Sequence, residues 1–312
     1  MDFSRAKTVL MLVFFCLNLF LGYQLLERYQ LVSPPGSLFW DPDNPEHLER
    51  LRQSLDEHNY TFKGDLPRRA LQKSFLIVTP PQVQESELKK SLLGEEWHDA
   101  SVEHVQQDNA EMRIFRHDKG KLTLYNTGFY RFVPSRDEAT EKKEDLDEPQ
   151  AKELADAFLE ERGLQPQRAQ HDLIEKKEEE VYLVRYHQHW SGIPVYASYL
   201  TVTVKEGRVD KVESYWLEPD GFKEEQEIKV IPAAAALIRF LEEQGVSSQE
   251  RIIEEVELGY FSREYDADQW EIPPVWRVVM ERGEMFFINA FTGNLEKDEA
   301  ETQGDNTAEF FE

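Results

Sequence analysis

The longest apolar run in the chain is Thr8 to Leu26, TVLMLVFFCLNLFLGYQLL, nineteen residues without a formal charge. At about 1.5 Å of rise per residue, a helix of that length roughly spans the ~30 Å hydrocarbon core of a bilayer. Its faces are apolar all round, which fits a membrane span over 8–26 better than a buried core helix. The run exceeds the usual apolar region of a secretory signal, and no small-residue cleavage pattern follows it. The span is therefore expected to stay attached. Arg5 and Lys7 stand just before it. Basic flanks remain on the cytoplasmic side, which places residues 1–7 inside and the remaining mass outside.

Past the anchor the pattern changes repeatedly. Residues 27–37 read as a spacer, and Pro34, Pro35 and Gly36 break regular structure there. A first α+β unit is expected over 38–133. Asn44-Pro45 supplies a helix start, and Leu48, Leu51 and Leu55 recur at helical spacing through about Glu57. Ser74 to Thr79 is a short apolar run closed by two prolines, the pattern of a buried strand. A short helix over Ser86–Leu93 ends at Gly94. Met112–Arg116 and Leu122–Tyr125 flank Asp118-Lys119-Gly120 as a hairpin, and Phe129–Val133 adds a strand. Residues 134–148 are almost devoid of apolar side chains and read as a solvated linker.

The second half carries a degenerate repeat. Pro149 opens a helix closing on Phe158-Leu159-Glu160-Glu161-Arg162-Gly163, and Pro232 opens another closing on Phe240-Leu241-Glu242-Glu243-Gln244-Gly245. Proline at the start and glycine past the end mark helix boundaries. Downstream, Trp190…Pro194-Val195-Tyr196 is echoed by Trp270…Pro274-Val275-Trp276. Alternating segments follow each helix, with Glu206-Gly207 and Arg282-Gly283 as hairpin turns. The pattern predicts two units, 149–222 and 223–296, each one helix laid across an antiparallel sheet. Residues 297–312 are acidic and polar and read as a disordered tail.

Charge and cysteine content narrow the function. A formal net charge of -25 repels nucleic acid and anionic headgroups. The only cysteine, Cys16, lies in the predicted span, so the exterior part has neither disulfide nor thiolate chemistry. No G-x-S-x-G, H-E-x-x-H or phosphate-cradling glycine loop is present. Nor does any carboxylate pair stand out as a glycosidase couple. No catalytic, cofactor or metal residues are assigned. His187 and His189 share one face of a predicted strand, but no third zinc ligand accompanies them. Asn18 is the distinctive residue of the span. An amide in mid-bilayer is satisfied by a neighbouring helix or locally. Gly22, one turn on, would let a partner helix approach.

The opening Met1-Asp2-Phe3-Ser4-Arg5-Ala6-Lys7-Thr8, running into an apolar span that holds Asn18 and ends Tyr23-Gln24-Leu25, resembles the YycI (WalI) family. The segments Gly192-Ile193-Pro194-Val195-Tyr196 and Ile288-Asn289-Ala290-Phe291-Thr292-Gly293 are similar to PepSY-type folds of that family and its partner YycH. The resemblance implies an α+β, PepSY-like tandem outside the cell membrane and no catalysis. It also implies two partners in the bilayer: the sensor histidine kinase of a Gram-positive cell-wall two-component system and a YycH-like auxiliary protein. The alternative reading is a PepSY-type exterior module that restrains a peptidase or recognises wall polymer.

Overall fold

The computed structural model describes residues 45–296 apart from 68–71, 108–109, 136–145, 179, 224–227, 264 and 266, together with Met11, Phe14, Leu17, Asn18, Phe20 and Leu21. The body is mixed α+β, mostly sheet with few helices. Its helices are α1 (Pro45–His58), α2 (Glu85–Leu93), α3 (Glu148–Glu161) and α4 (Ala233–Gln244). Its strands are β1 (Tyr60–Phe62), β2 (Gln72–Lys73), β3 (Leu76–Thr79), β4 (Ser101–Gln107), β5 (Ala110–His117), β6 (Gly120–Tyr125), β7 (Tyr130–Pro134), β8 (Ala169–Glu178) and β9 (Val181–Trp190). They continue with β10 (Ile193–Lys205), β11 (Arg208–Tyr215), β12 (Glu218–Phe222), β13 (Ile228–Lys229), β14 (Arg251–Tyr260), β15 (Trp270–Ile272), β16 (Pro274–Met280), β17 (Met285–Asn289) and β18 (Leu295–Glu296).

One 13-stranded sheet runs in the order β18-β17-β16-β14-β10-β11-β7-β6-β5-β4, with β1 paired to β14 and the β8–β9 hairpin joined to β10. Two small sheets, β12-β3-β15 and β13-β2, lie apart from it. The hydrophobic pattern suggests three separate small units, yet hydrogen bonding joins them. β7 of the first pairs with β11 of the second, and β10 of the second pairs with β14 of the third. A strand left at the edge of a small unit would expose a row of unpaired backbone groups, and pairing across the units removes that cost.

The joint is β10. From Tyr199 to Lys205 it lies between β9 and β11. Upstream, Val195 instead lies between Gln188 of β9 and Tyr260 of β14. The register shifts between Val195 and Tyr199, and the extra residues of such a bulge bend the strand. The bend is fastened by side chains. Ser198 Oγ donates to Gln188 Oε1 at 3.3 Å and accepts from Leu217 N–H at 3.1 Å, while Gln188 Nε2 donates to the Leu217 carbonyl at 3.3 Å. The β10–β11 turn uses Glu206 (φ 51°) and Gly207 (φ 77°), both left-handed as a type I′ hairpin requires.

Helices cover the sheet in two groups. α3 begins with a reciprocal capping box, in which Asp147 accepts from the Gln150 backbone and Gln150 returns a bond to the Asp147 N–H. Its buried face, Ala151, Ala155 and Leu159, joins α2 over the strands from β5 to β11 in one core. α4 offers Ala233, Ala236, Leu237, Phe240 and Leu241, and packs with Leu51 and Leu55 of α1 over β14, β16 and β17. Trp276 is fully buried there and donates its indole N–H to the Ile231 carbonyl at 2.8 Å. The echoed W-x-x-x-P-V motif therefore serves two settings. In the first copy it crosses the β9–β10 hairpin; in the second it passes from β15 in a small sheet to β16 in the large one.

Two substitutions test these joints. A Cβ on Gly259 would stand 2.3 Å from Tyr196 Cε2 and 2.7 Å from the Pro194 carbonyl, where β14 meets β10. Gly259→Ala should cost about 1–3 kcal/mol, read as a lower urea midpoint at unchanged slope. Asp147→Ala should cost about 1 kcal/mol in the same measurement.

Candidate functional site

The strand β16, PVWRVVM, is buried at every position and holds one cation, Arg277, at 2% exposure. Side chains alternate across a strand. Trp276, Val278 and Met280 turn to the α4 core, so Arg277 points to the other face of the sheet. There it meets β8, β10 and β14. Its Nη1 donates to Asp172 Oδ1 at 2.5 Å, and Nη2 donates to Glu255 Oε2 at 3.2 Å and Glu257 Oε2 at 3.3 Å. The guanidinium carbon stands 4.3 Å over the Tyr196 ring, and the Tyr196 hydroxyl donates to Glu257 Oε2 at 2.6 Å. Asp172 comes from a bulge in β8, where the register shifts between His171 and Ile174. Beside the network, Phe261 and Phe287 stack at 3.9 Å against Val275 and Tyr196.

His187 and His189 complete the seam. Their rings lie 4.7 Å apart, and His187 meets the Tyr196 ring edge-on at 5.3 Å. His187 Nδ1 is 3.4 Å from Asp172 Oδ1. His187 Nε2 and His189 Nδ1 are buried without a hydrogen-bond partner among the described residues. Residues from five strands, β8, β9, β10, β14 and β16, thus converge between the two repeat units.

The electrostatics follow from burial and neighbours. Burial alone would raise the Asp172 pKa, but the His187 ring and the Arg277 charge overcome it and hold the carboxyl below the usual range. Burial pushes Glu255 up, with Glu257 and Asp172 adding to the rise against the pull of Arg277. Burial lowers His189, and His187 lowers it further. Burial, with the nearby Glu257, drives the Tyr196 hydroxyl far up, so it stays a hydrogen-bond donor. Among the described residues no group of three or more His, Cys, Asp or Glu is placed to hold a metal. The two histidines do share a face, as their spacing requires, but the carboxylate they approach already bonds a guanidinium. The arrangement is suited to clamping two halves of a sheet together.

The predicted anchor residues stand differently. Arg5, Lys7 and Gly22 lie outside the described residues. Asn18 is helical, and its Nδ2 donates to the Phe14 carbonyl one turn back at 2.8 Å. Among the described residues no helix is long and apolar enough to cross a membrane, and most of the predicted span 8–26 lies outside them. Sequence reasoning passed over Arg277, Asp172, Glu255 and Glu257. The available signal was Arg277 itself, a lone cation in an apolar strand, which has to be paired when buried.

Removing Arg277 while leaving Asp172 buried should be severe. Arg277→Met is expected to cost about 3–5 kcal/mol by urea denaturation. The acid limb can be assigned separately. Asp172 titrates lower in the folded protein than its unfolded value of about 3.9. Its stabilisation is complete above that value and is lost as pH falls through the lower folded one, so Asp172→Asn should flatten the loss of stability below about pH 4. His189 is also lowered, so the folded protein disfavours its protonation. That contribution is full above an unfolded value of about 6.5 and declines below it, and His189→Gln should lessen the decline in this window.

No curated protein sequence matches the chain. Among solved structures, an uncharacterized protein from Eubacterium rectale ATCC 33656 is similar at 11% identity, covering 80% of this chain and 99% of the other, with a TM-score of 0.49. The C-terminal domain of Bacillus megaterium YpeB is similar at 13% identity, covering 69% and 96%, with a TM-score of 0.33. Residues 41–291 match the family described as YycI protein. That match spans most of the sequence and includes every residue of the seam, and the chain belongs to the YycI family, whose members are regulators of a two-component system rather than enzymes.

Proposed function

We propose that the chain is a single-pass, membrane-anchored regulator of the sensor histidine kinase of a cell-wall two-component system, acting beside a YycH-like auxiliary protein. The observation that carries this reading is the family match over residues 41–291. Support for the anchor is the uncharged run Thr8–Leu26 behind Arg5 and Lys7. Asn18 uses one amide hydrogen on Phe14, which leaves its second amide hydrogen and its carbonyl oxygen for a neighbouring helix. Gly22 follows four positions later in the sequence, and a small residue at that spacing allows close approach of a partner helix. The acidic body, net -25 for the whole chain, stays clear of anionic headgroups and positions its surface for protein contacts. Regulation then works by differential binding. The anchor and exterior body bind one signalling state of the kinase better than the other and shift its population accordingly.

Replacing residues 1–26 with an unrelated single-span anchor, at equal expression, should change phosphorylated response regulator several-fold. The same exchange should reduce recovery of the kinase after in-membrane crosslinking from position 18. Unaltered output and unaltered recovery would remove the helix-contact mechanism.

A further inference from the structure

The seam holds two histidine rings with nitrogens that nothing satisfies. His187 is 6% exposed, and its Nε2 and the Nδ1 of His189 are buried without a hydrogen-bond partner among the described residues. A neutral imidazole presents one donor and one acceptor, whereas a charged one presents two donors. An unpaired neutral nitrogen costs less to bury than an unpaired charge. The charged and titratable groups around the pair come from every strand of the seam. β8 brings Asp172 and His171, β10 Tyr196, β14 Glu255 and Glu257, and β16 Arg277. On β9 itself the next residue along that face is Arg185, which donates to Glu175.

The three carboxylates nearest the pair are already engaged by Arg277. Asp172 Oδ1 is the contested atom. Arg277 Nη1 bonds it at 2.5 Å, and His187 Nδ1 stands 3.4 Å from it. A charged His187 therefore competes with Arg277 for one oxygen. The two rings lie 4.7 Å apart, so a charge on either opposes a charge on the other. The surroundings can part at this point. Val195 and Tyr260 are a single pair of partners between β10 and β14 among the described residues. The α3 and α4 cores share no residue. The halves are linked again through β3, which pairs with β12 on one side and β15 on the other, and that small sheet is placed as a hinge.

We propose that His187 and His189 form an acid-sensitive latch: their protonation sets positive charge against Arg277, draws Asp172 away from it, and parts the seam about the small sheet while both helix-covered cores stay intact. Rings freed into water protonate near the ordinary value of about 6.5, and each proton taken up on opening raises the opening constant by up to about tenfold per pH unit. Burial and His187 hold His189 below that value, so opening is favoured as pH falls through it. Glu255 acts in the other direction. Burial raises its carboxyl, so it favours the closed form increasingly as pH falls toward about 4.3. The latch works between those two values.

The test uses the full chain in phosphatidylcholine vesicles, with Cys16→Ser as background and single cysteines labelled by dithiodipyridine. Val275→Cys reports the seam, where Val275 packs with Tyr196, and Val278→Cys reports the α4 core from the opposite face of the same strand. Each rate is divided by that of the exposed Ser248→Cys at the same pH, which removes the titration of the thiol itself. From about pH 7.5 to about pH 5.5 the relative rate at 275 should rise about fivefold, and that at 278 should stay level. His187→Gln with His189→Gln should abolish the rise. If that pair labels at 278 as fast as at 248, and so is unfolded, His189→Gln alone should at least halve the rise. No rise at 275, an equal rise at 278, or a rise that survives loss of the histidines would overturn the proposal.

Discussion

A guanidinium that is 2% exposed cannot stand alone, and much of this architecture answers that need. Taking an ion out of water costs several kcal/mol, even after the surroundings relax. Arg277 offsets the cost with three carboxylates and an aromatic face drawn from β8, β14 and β10. The partners belong to different repeat units, 105 residues apart in the case of Asp172. The network can form only when β8 brings Asp172 to the face of β14 and β16 opposite the α4 core. A well-packed apolar seam could hold equally tightly, but it would tolerate sliding. A buried guanidinium with directional bonds favours one alignment of the two halves.

The bulge in β10 makes that alignment reachable. The register break between Val195 and Tyr199 falls where β10 passes from β11 to β14 as its neighbour. The bend also turns Tyr196 into the seam, where its ring and hydroxyl meet Arg277 and Glu257. Gly259 lets the neighbouring backbone come close enough for this to happen. Backbone geometry, a missing side chain and an ionic network thus act on one point. For a regulator this has a physical consequence. Strands from both halves belong to one hydrogen-bonded sheet, so a force on either half loads the pairing of β10 with β14.

The helix cover shows how the same plan is met with different materials. α3 relies on a capping box and a narrow face of Ala151, Ala155 and Leu159. α4 starts without a side-chain cap and instead buries Ala233, Ala234, Ala236, Leu237, Phe240 and Leu241. Where local capping is weaker, tertiary burial is greater, as expected when helix stability comes chiefly from packing. The degenerate sequence repeat is consistent with this. Both helices keep Phe-Leu-Glu-Glu and a closing glycine, while their N-terminal caps differ.

Local order decided much of what the chain alone could determine. The helices around Pro45, Ser86, Pro149 and Pro232 and the strands of β5–β7, β9–β11, β14, β16 and β17 follow from apolar spacing and from turn residues such as Glu206-Gly207, all of which act over a few residues. β4 and β8 were not evident, because SVEHVQQ and AQHDLIEKKE lack an alternating apolar face and become strands only by pairing with β5 and β9. The histidine pair at 187 and 189 could be placed on one strand face, but its neighbours could not. Asp172, Glu255 and Arg277 meet through three strands whose order is set by the bend in β10 and by cross-unit pairing. Periodicity records which side of a strand is buried. It carries no information on which distant strand lies opposite, and a buried charge finds its counter-ions only once that order exists.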